Sequence, residues 1–177
     1  KVLRPAKLWC DTETAVEAQD LAEKMKEAVV PAFTAPKIAW LCGNEPETAD
    51  KVSCVCLPHD FINMTLTGDS RPVSEAGDAS GTGYWNVEEK KFDRSKAAIV
   101  DPRLPSWLPS LIPSPDAAVG TVCTAAAELT GLPVGIPVAP GSGDNACAAL
   151  GVGAVVAGEE EEVLEVFYLF IFFAGQF

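Results

Sequence analysis

The sequence predicts a mixed α/β domain, and three observations carry that reading. Segments with helical patterning alternate with strand-like ones, and no internal repeat is present. The 177 residues suffice for one domain with a core of its own. The composition, 48% hydrophobic and 21% charged, is that of a globular chain rather than a disordered one.

Val2 to Trp9 alternates weakly and predicts a short strand ending at Cys10-Asp11. Asp11-Thr12-Glu13-Thr14 offers two helix caps, and Ala15 to Val29 then carries Val16, Ala18, Leu21, Ala22, Met25 and Val29 at the spacing of an amphipathic helix. Pro31 to Pro36 interrupts the chain. Lys37 to Cys42 predicts a short helix taking Trp40 into the core, and Glu45-Pro46-Glu47 opens another. Val52 to Leu57 is strand-like. After Pro58-His59-Asp60, the residues Phe61, Ile62, Met64 and Leu66 predict a helix stopped at Thr67-Gly68. Asp69 to Trp85 is rich in Gly, Ser and Asp, which predicts turns and loops, either lining a pocket or joining two elements. Lys90 to Val100 predicts a helix, Pro102 to Pro115 a Pro-rich connector around Trp107, and Thr121 to Leu129 a helix closed by Gly131.

Charge and cysteine usage narrow the partners. The net charge is -12, the pI is near 4.4, and no basic cluster exceeds Lys90-Lys91, so the footprint of a nucleic-acid binder is missing. The six cysteines include no CxxC pair and stand beside one histidine, His59, which argues against a zinc centre and for no metal site. Reduced thiols in an intracellular, cytoplasmic setting are expected. The apolar run Val166 to Ala174 is much shorter than the roughly 20 residues that span a bilayer, so no membrane partner is expected. The opening Lys1-Val-Leu-Arg-Pro-Ala-Lys-Leu-Trp9 lacks a starting Met and reads as the middle of a domain, hence of a fragment.

The stretch with the most chemical content runs from Gly135 to Gly153. An apolar run, Ile136 to Ala139, leads into a Pro140-Gly141-Ser142-Gly143 turn, then Asp144, then small residues that read as a helix start. The pattern puts one carboxylate at a strand-to-helix corner. Glycines beside it let a ligand or a second backbone approach closely, as a general base requires. Asp is equally at home there as a helix cap, and the local pattern leaves both roles open.

Taken together, several segments resemble the FGGY carbohydrate kinase family, in its xylulokinase branch. They are Lys1 to Asp11, Phe33-Thr-Ala-Pro-Lys37 with Trp40 and Glu45-Pro-Glu47, Leu57-Pro-His-Asp60 with Leu66-Thr-Gly68, Asp78-Ala-Ser-Gly-Thr82, and Gly143-Asp-Asn145 followed by Gly151-Val-Gly153, in the family's order. The resemblance implies an actin-like, ribonuclease-H-like α/β fold, of which residues 1–158 would be part of the N-terminal, sugar-binding domain. It implies ATP-dependent phosphorylation of a pentulose, D-xylulose or D-ribulose, with magnesium. It makes Asp144 the base that takes the proton of the attacking sugar hydroxyl and sets Asn145 beside the sugar. Trp9 and Asp11 match a Trp-x-Asp segment near the sugar. An aromatic face and a carboxylate are reasonable sugar contacts, while a buried Trp and a helix-capping Asp would account for the same residues. Asp78 to Thr82 is expected mainly to shape its loop.

Departures from the family pattern shape the remaining expectations. Thr12 and Glu13 stand where bacterial members usually carry a basic residue and resemble the plant and cyanobacterial branch, which leaves open which pentulose is preferred; the cytoplasm is the expected location, with a plastid as the alternative. The family's phosphate loop, its upstream sugar contact and its C-terminal nucleotide domain have no counterpart in the sequence. ATP and Mg2+ would be bound mainly by those parts, and the fragment alone is expected to be inactive. Residues 159–177 form an acidic and apolar tail outside the resemblance. The small-molecule partner is a sugar, and a homodimer is conceivable for the full-length protein. The alternatives are a kinase of the same family acting on another sugar or polyol, and a truncated sugar-binding remnant without catalysis.

Overall fold

The structure, a computed structural model, describes residues 1–114 and 116–152. The chain divides into two units, Lys1–Gly141 and Ser142–Phe177. Gly153 and the expected boundary between residues 158 and 159, with the tail after it, lie outside the described residues.

Helices of the first unit follow the apolar spacing closely. Helix α1, Ala15–Met25, buries Ala18 and Leu21 and ends at Lys26, whose φ of 57° is left-handed, so the helix stops four residues before the expected Val29. Helix α2, Thr34–Asn44, starts three residues earlier than expected, because Pro36 falls in its first turn, where no backbone donor is lost. Helix α3, Pro46–Ala49, opens on a proline. Helix α4, Pro58–Thr67, stops at Gly68 as expected. In its first turn Asp60 Oδ2 accepts from Leu57 N at 2.9 Å.

The central stretch is more ordered than its composition suggests. Strand β1, Val73–Ser74, precedes helix α5, Ala76–Ala79, which Glu75 nucleates by accepting from Gly77 N at 2.7 Å and Asp78 N at 2.5 Å. A 3₁₀ turn, Ser80–Thr82, and strand β2, Trp85–Asn86, follow. Strand β3, Lys91–Phe92, pairs antiparallel with β2, and Trp85 meets Phe92 edge-on at 5.4 Å. That pairing takes residues expected to be helical. Helix α6, Arg94–Val100, therefore begins where Asp93 Oδ1 accepts from Ser95 N and Lys96 N. The Pro-rich connector contains helix α7, Leu104–Trp107, and strand β4, Ser110–Leu111, which runs parallel to β1. Strand β5, Gly120–Thr121, precedes helix α8, Thr124–Thr130, and strand β6, Pro137–Val138, pairs antiparallel with β5. Helix α8 ends at Gly131 as expected, but it starts three residues late because Gly120 and Thr121 belong to the ladder.

Two apolar clusters form the interior. Leu21, Ile38, Tyr84, Leu104, Trp107 and Leu108 gather α1, α2 and α7 with the β2 approach, and Val122, Ala126 and Val138 join α8 to β6 with Leu66 of α4 packed against them. Two expected strands do not form. Val2 to Trp9 finds no ladder partner among the described residues. Its contacts come from side chains: Arg4 pairs with Glu45 at 3.0 Å, and Arg4 and Lys7 lie over the Trp40 ring at 5.6 and 3.5 Å. Trp40 is accordingly half-buried beneath two cations instead of inside the core. Val52 to Leu57 has a rung from Val55 N to Trp107 O at 2.8 Å but no ladder among the described residues.

Helix α4 and β5 approach closely at Gly120. A Cβ on that residue would stand 2.7 Å from Thr67 Cγ2, and the Thr67 hydroxyl, tied to Asp69 Oδ2 at 2.6 Å, keeps the methyl from swinging away. Gly120→Ala is expected to destabilise the fold by about 1–3 kcal/mol, the usual cost of forcing a methyl into a packed contact, read as a lowered midpoint in chemical unfolding.

Candidate functional site

Trp9 and Asp11 share one turn of the first unit. Asp11 N donates to Leu8 O at 3.1 Å, and Asp11 Oδ1 accepts from Glu13 N at 2.9 Å. The carboxylate thus closes a side-chain turn ahead of α1 and does not cap the helix itself, whose cap position is Thr14. Trp9 is 77% exposed, which removes the alternative of a buried Trp. Beside this turn Lys37, in the first turns of α2, donates to Pro31 O at 2.6 Å. Burial holds the Lys37 ammonium below its ordinary pKa, while Asp11 pulls it the other way. Lys7 pairs with Glu13 and stacks on Trp40. The corner therefore presents an open aromatic face, a half-buried carboxylate and an ammonium group. Such a set can stack on C–H groups and hydrogen-bond hydroxyls.

In the second unit, Asp144 is the first residue of helix α9, Asp144–Gly151, and Asn145 the second. Asp144 is exposed. The helix opens with Cys147 N donating to Gly143 O at 3.1 Å, and Cys147 Sγ lies 3.9 Å from Ser142 O. An acidic helix start after the Pro-Gly-Ser-Gly turn is what the sequence predicts. Gly143, whose carbonyl accepts that first helical bond, holds the cap position, and the Asp144 carboxylate stands in the first turn, where its charge suits both the helix start and a base.

A cluster whose pairing the sequence did not reveal sits at the start of α4. His59 Nδ1 lies 2.6 Å from Asp78 Oδ2, joining α4 to α5. His59 Nε2 lies 3.0 Å from Asp60 Oδ1, an ion-pair distance off the line of a hydrogen bond. Asp60 is fully buried. Asp60 first, and Asp78 after it, raise the His59 pKa from 6.5 to about 10, against the opposing effect of burial. Asp78 therefore does more than shape its loop. Because the folded pKa is raised, the stability His59 contributes is complete below its unfolded value of 6.5 and is lost as pH climbs toward about 10. The unfolding midpoint of the native chain should fall across that window, and that part of the slope should be absent in His59→Gln.

All six thiols are free. Among the described residues no group of three or more His, Cys, Asp or Glu side chains could hold a metal ion, and no helix is long and apolar enough to cross a membrane.

The arrangement of helices and short ladders is that of the actin-like ATPase fold, in the α/β class. A solved xylulose kinase from Brucella ovis matches it with a TM-score of 0.76 at 30% identity, over 85% of this chain and 32% of that one. The profile of the FGGY family of carbohydrate kinases, N-terminal domain, covers residues 1–151, and the chain belongs to that family. Curated relatives include the xylulose kinase of Streptomyces coelicolor, 39% identical over 85% of this chain and 32% of the relative. Another is the xylulose kinase of Haemophilus influenzae, 35% identical over 88% and 34%. The chain spans about a third of the length of the curated relatives it matches.

Proposed function

We propose that the chain is the sugar-binding part of an ATP-dependent pentulose kinase that phosphorylates D-xylulose, with D-ribulose as the second candidate. The observation that carries this reading is the 39% identity to a xylulose kinase along 85% of the chain, in a segment that includes the acidic start of α9. Asp144 would take the proton of the attacking sugar hydroxyl, with Asn145 beside it. Trp9 would offer its open face to the sugar's C–H groups, and Asp11, with one oxygen engaged in its turn, would accept from a hydroxyl with the other.

Phosphoryl transfer asks the protein mainly for positioning and charge neutralisation. A carboxylate that orients and deprotonates the nucleophile supplies the first of these and part of the proton transfer. ATP would donate the phosphoryl group, with Mg2+ neutralising its charge. The described residues offer no carboxylate cluster for the ion. No step of the chemistry is therefore assigned to this chain beyond holding the sugar and moving its proton. Six free thiols support a reducing compartment, the cytoplasm or a plastid.

The test is ATP-dependent phosphorylation by the protein expressed from its complete gene, with D-xylulose, D-ribulose and glycerol offered in parallel. Turnover of a pentulose in preference to glycerol is the expected result. Turnover of glycerol alone would keep the family and reject the substrate.

A further inference from the structure

The corner that carries Trp9 and Asp11 also holds two opposite charges that approach each other without meeting. Lys37, the fourth residue of α2, is half-buried, as Asp11 is. Burial lowers the Lys37 pKa and Asp11 opposes it, so the two charges are near enough to act on each other. Among the described residues, however, they form neither an ion pair nor a hydrogen bond. Each is held by something else. Lys37 Nζ donates to Pro31 O at 2.6 Å, and the same carbonyl accepts from the buried Thr14 hydroxyl at 3.4 Å, which ties the ammonium to the start of α1. Asp11 Oδ1 is taken by Glu13 N at 2.9 Å. Lys7, the neighbouring cation, is committed to Glu13 and the Trp40 ring. Within the described residues this leaves two of the three Lys37 N–H donors and the second Asp11 oxygen without a protein partner.

A hydroxyl suits such a pair, because it donates one hydrogen bond and accepts others. A ligand carboxylate or phosphate would satisfy Lys37 but meet Asp11 with like charge, and a ligand ammonium would meet Lys37 in the same way. The two charges together therefore favour a neutral, hydroxyl-bearing ligand. We propose that Lys37 is a sugar-binding residue that works with Asp11: one hydroxyl of the pentulose donates to Asp11 Oδ2 and accepts from Lys37 Nζ. The proposal rests on reading Trp9 and Asp11 as sugar contacts, and it supplies the donor that this reading lacks. Trp9 offers a ring face and the Asp11 carboxylate only accepts. The bond to Pro31 O fixes the ammonium before the sugar arrives, so less side-chain freedom is lost on binding.

Lys37→Met keeps most of the side chain's length and removes its charge and donors. In the protein from its complete gene, KM for the pentulose should rise by about tenfold or more while kcat changes by less than about twofold, as expected of a contact to a hydroxyl that does not react. The decisive comparison uses deoxy analogues of the pentulose, each lacking one hydroxyl, with binding to both proteins measured by calorimetry. One analogue should bind the native protein about tenfold or more weakly than the parent sugar does, and should bind Lys37→Met no worse than native. The remaining analogues should lose the same factor on Lys37→Met as the parent sugar. Thr14→Val, which removes the other side-chain bond to Pro31 O, should keep the native KM. Lys37→Gln, shorter and uncharged, takes the place of Lys37→Met if that variant fails to fold. A uniform loss across all the analogues would make Lys37 a structural support and overturn the proposal, and so would a rise in KM equalled by Thr14→Val. A native protein that phosphorylates no pentulose would remove the reading of the corner and this proposal with it. An active native protein whose Lys37→Met variant keeps the native KM would remove the proposal alone.

Discussion

Asp144→Asn, in the protein from its complete gene, is expected to lower kcat for pentulose phosphorylation by about 10²- to 10⁴-fold, the range typical of losing a positioned general base. The substitution keeps size and hydrogen-bonding shape but cannot accept the hydroxyl proton. KM should change little, because the sugar's other contacts, proposed at Trp9, Asp11 and Asn145, remain. At the first helical position the charge of Asp144 favours the helix by only about 0.3–1 kcal/mol, and Gly143 keeps the cap, so the start of α9 should survive the change. That separates the two roles of the carboxylate. If Asp144 only favoured the helix start, Asn would replace it with little loss of activity, and an active Asp144→Asn enzyme would end the assignment. Folding can be checked independently through circular dichroism and the unfolding midpoint, both expected at native values.

The largest effect on stability is expected at Asp60. Its carboxylate is fully buried, accepts from Leu57 N at 2.9 Å and faces His59 Nε2 at 3.0 Å. Asp60→Ala removes the first-turn cap of α4 and leaves the imidazolium with Asp78 as its remaining counter-charge. Breaking a buried pair from one side typically costs about 3–5 kcal/mol, because the partner's charge stays behind. Exposure of the His59 side chain is 18%, so water relieves part of that charge, and a cost of about 2–4 kcal/mol is expected. Denaturant unfolding should show it as a lower midpoint. In the double variant with His59→Gln the stranded charge is gone, and the two losses should add to less than their sum. Simple additivity would mean that the pair does not act as a unit.

Local signals were enough to place many of the helices. The apolar spacing of α1 and the glycine stops of α4 and α8 are properties of neighbouring residues, and a sequence displays them directly. The ladders were another matter. A strand exists only with a partner, and whether Val2 to Trp9 or Gly120-Thr121 finds one depends on residues far away in the chain. Trp40 was expected in the core for the same reason: nothing near it announces that Arg4 and Lys7 will cover its ring.

At the candidate site, the acidic start of α9 was legible from the Pro-Gly-Ser-Gly turn that precedes it. The Asp11 turn could be expected as one of several roles for an Asp before a helix, whereas the exposure of Trp9, which sets aside a buried ring, comes from the fold and not from its neighbours in sequence. The pairing of His59 with Asp78, 19 residues on, was not legible. No periodicity joins them. The only trace was that His59 and Asp78 both fall in segments shared with the family, which says that they matter without saying that they touch.

The open position of Trp9 has an optical consequence. Trp85 and Trp107 are 9% and 5% exposed, and Trp40 lies under two cationic side chains, while the Trp9 indole is 77% exposed. Emission from the four tryptophans is thereby sorted by depth, with the water-relaxed, red-shifted component coming chiefly from the ring proposed to stack on the sugar. A dissolved quencher reaches that ring before the others, and a sugar seated on it would shield it, so occupancy of the corner can be followed by light without a label and without turnover.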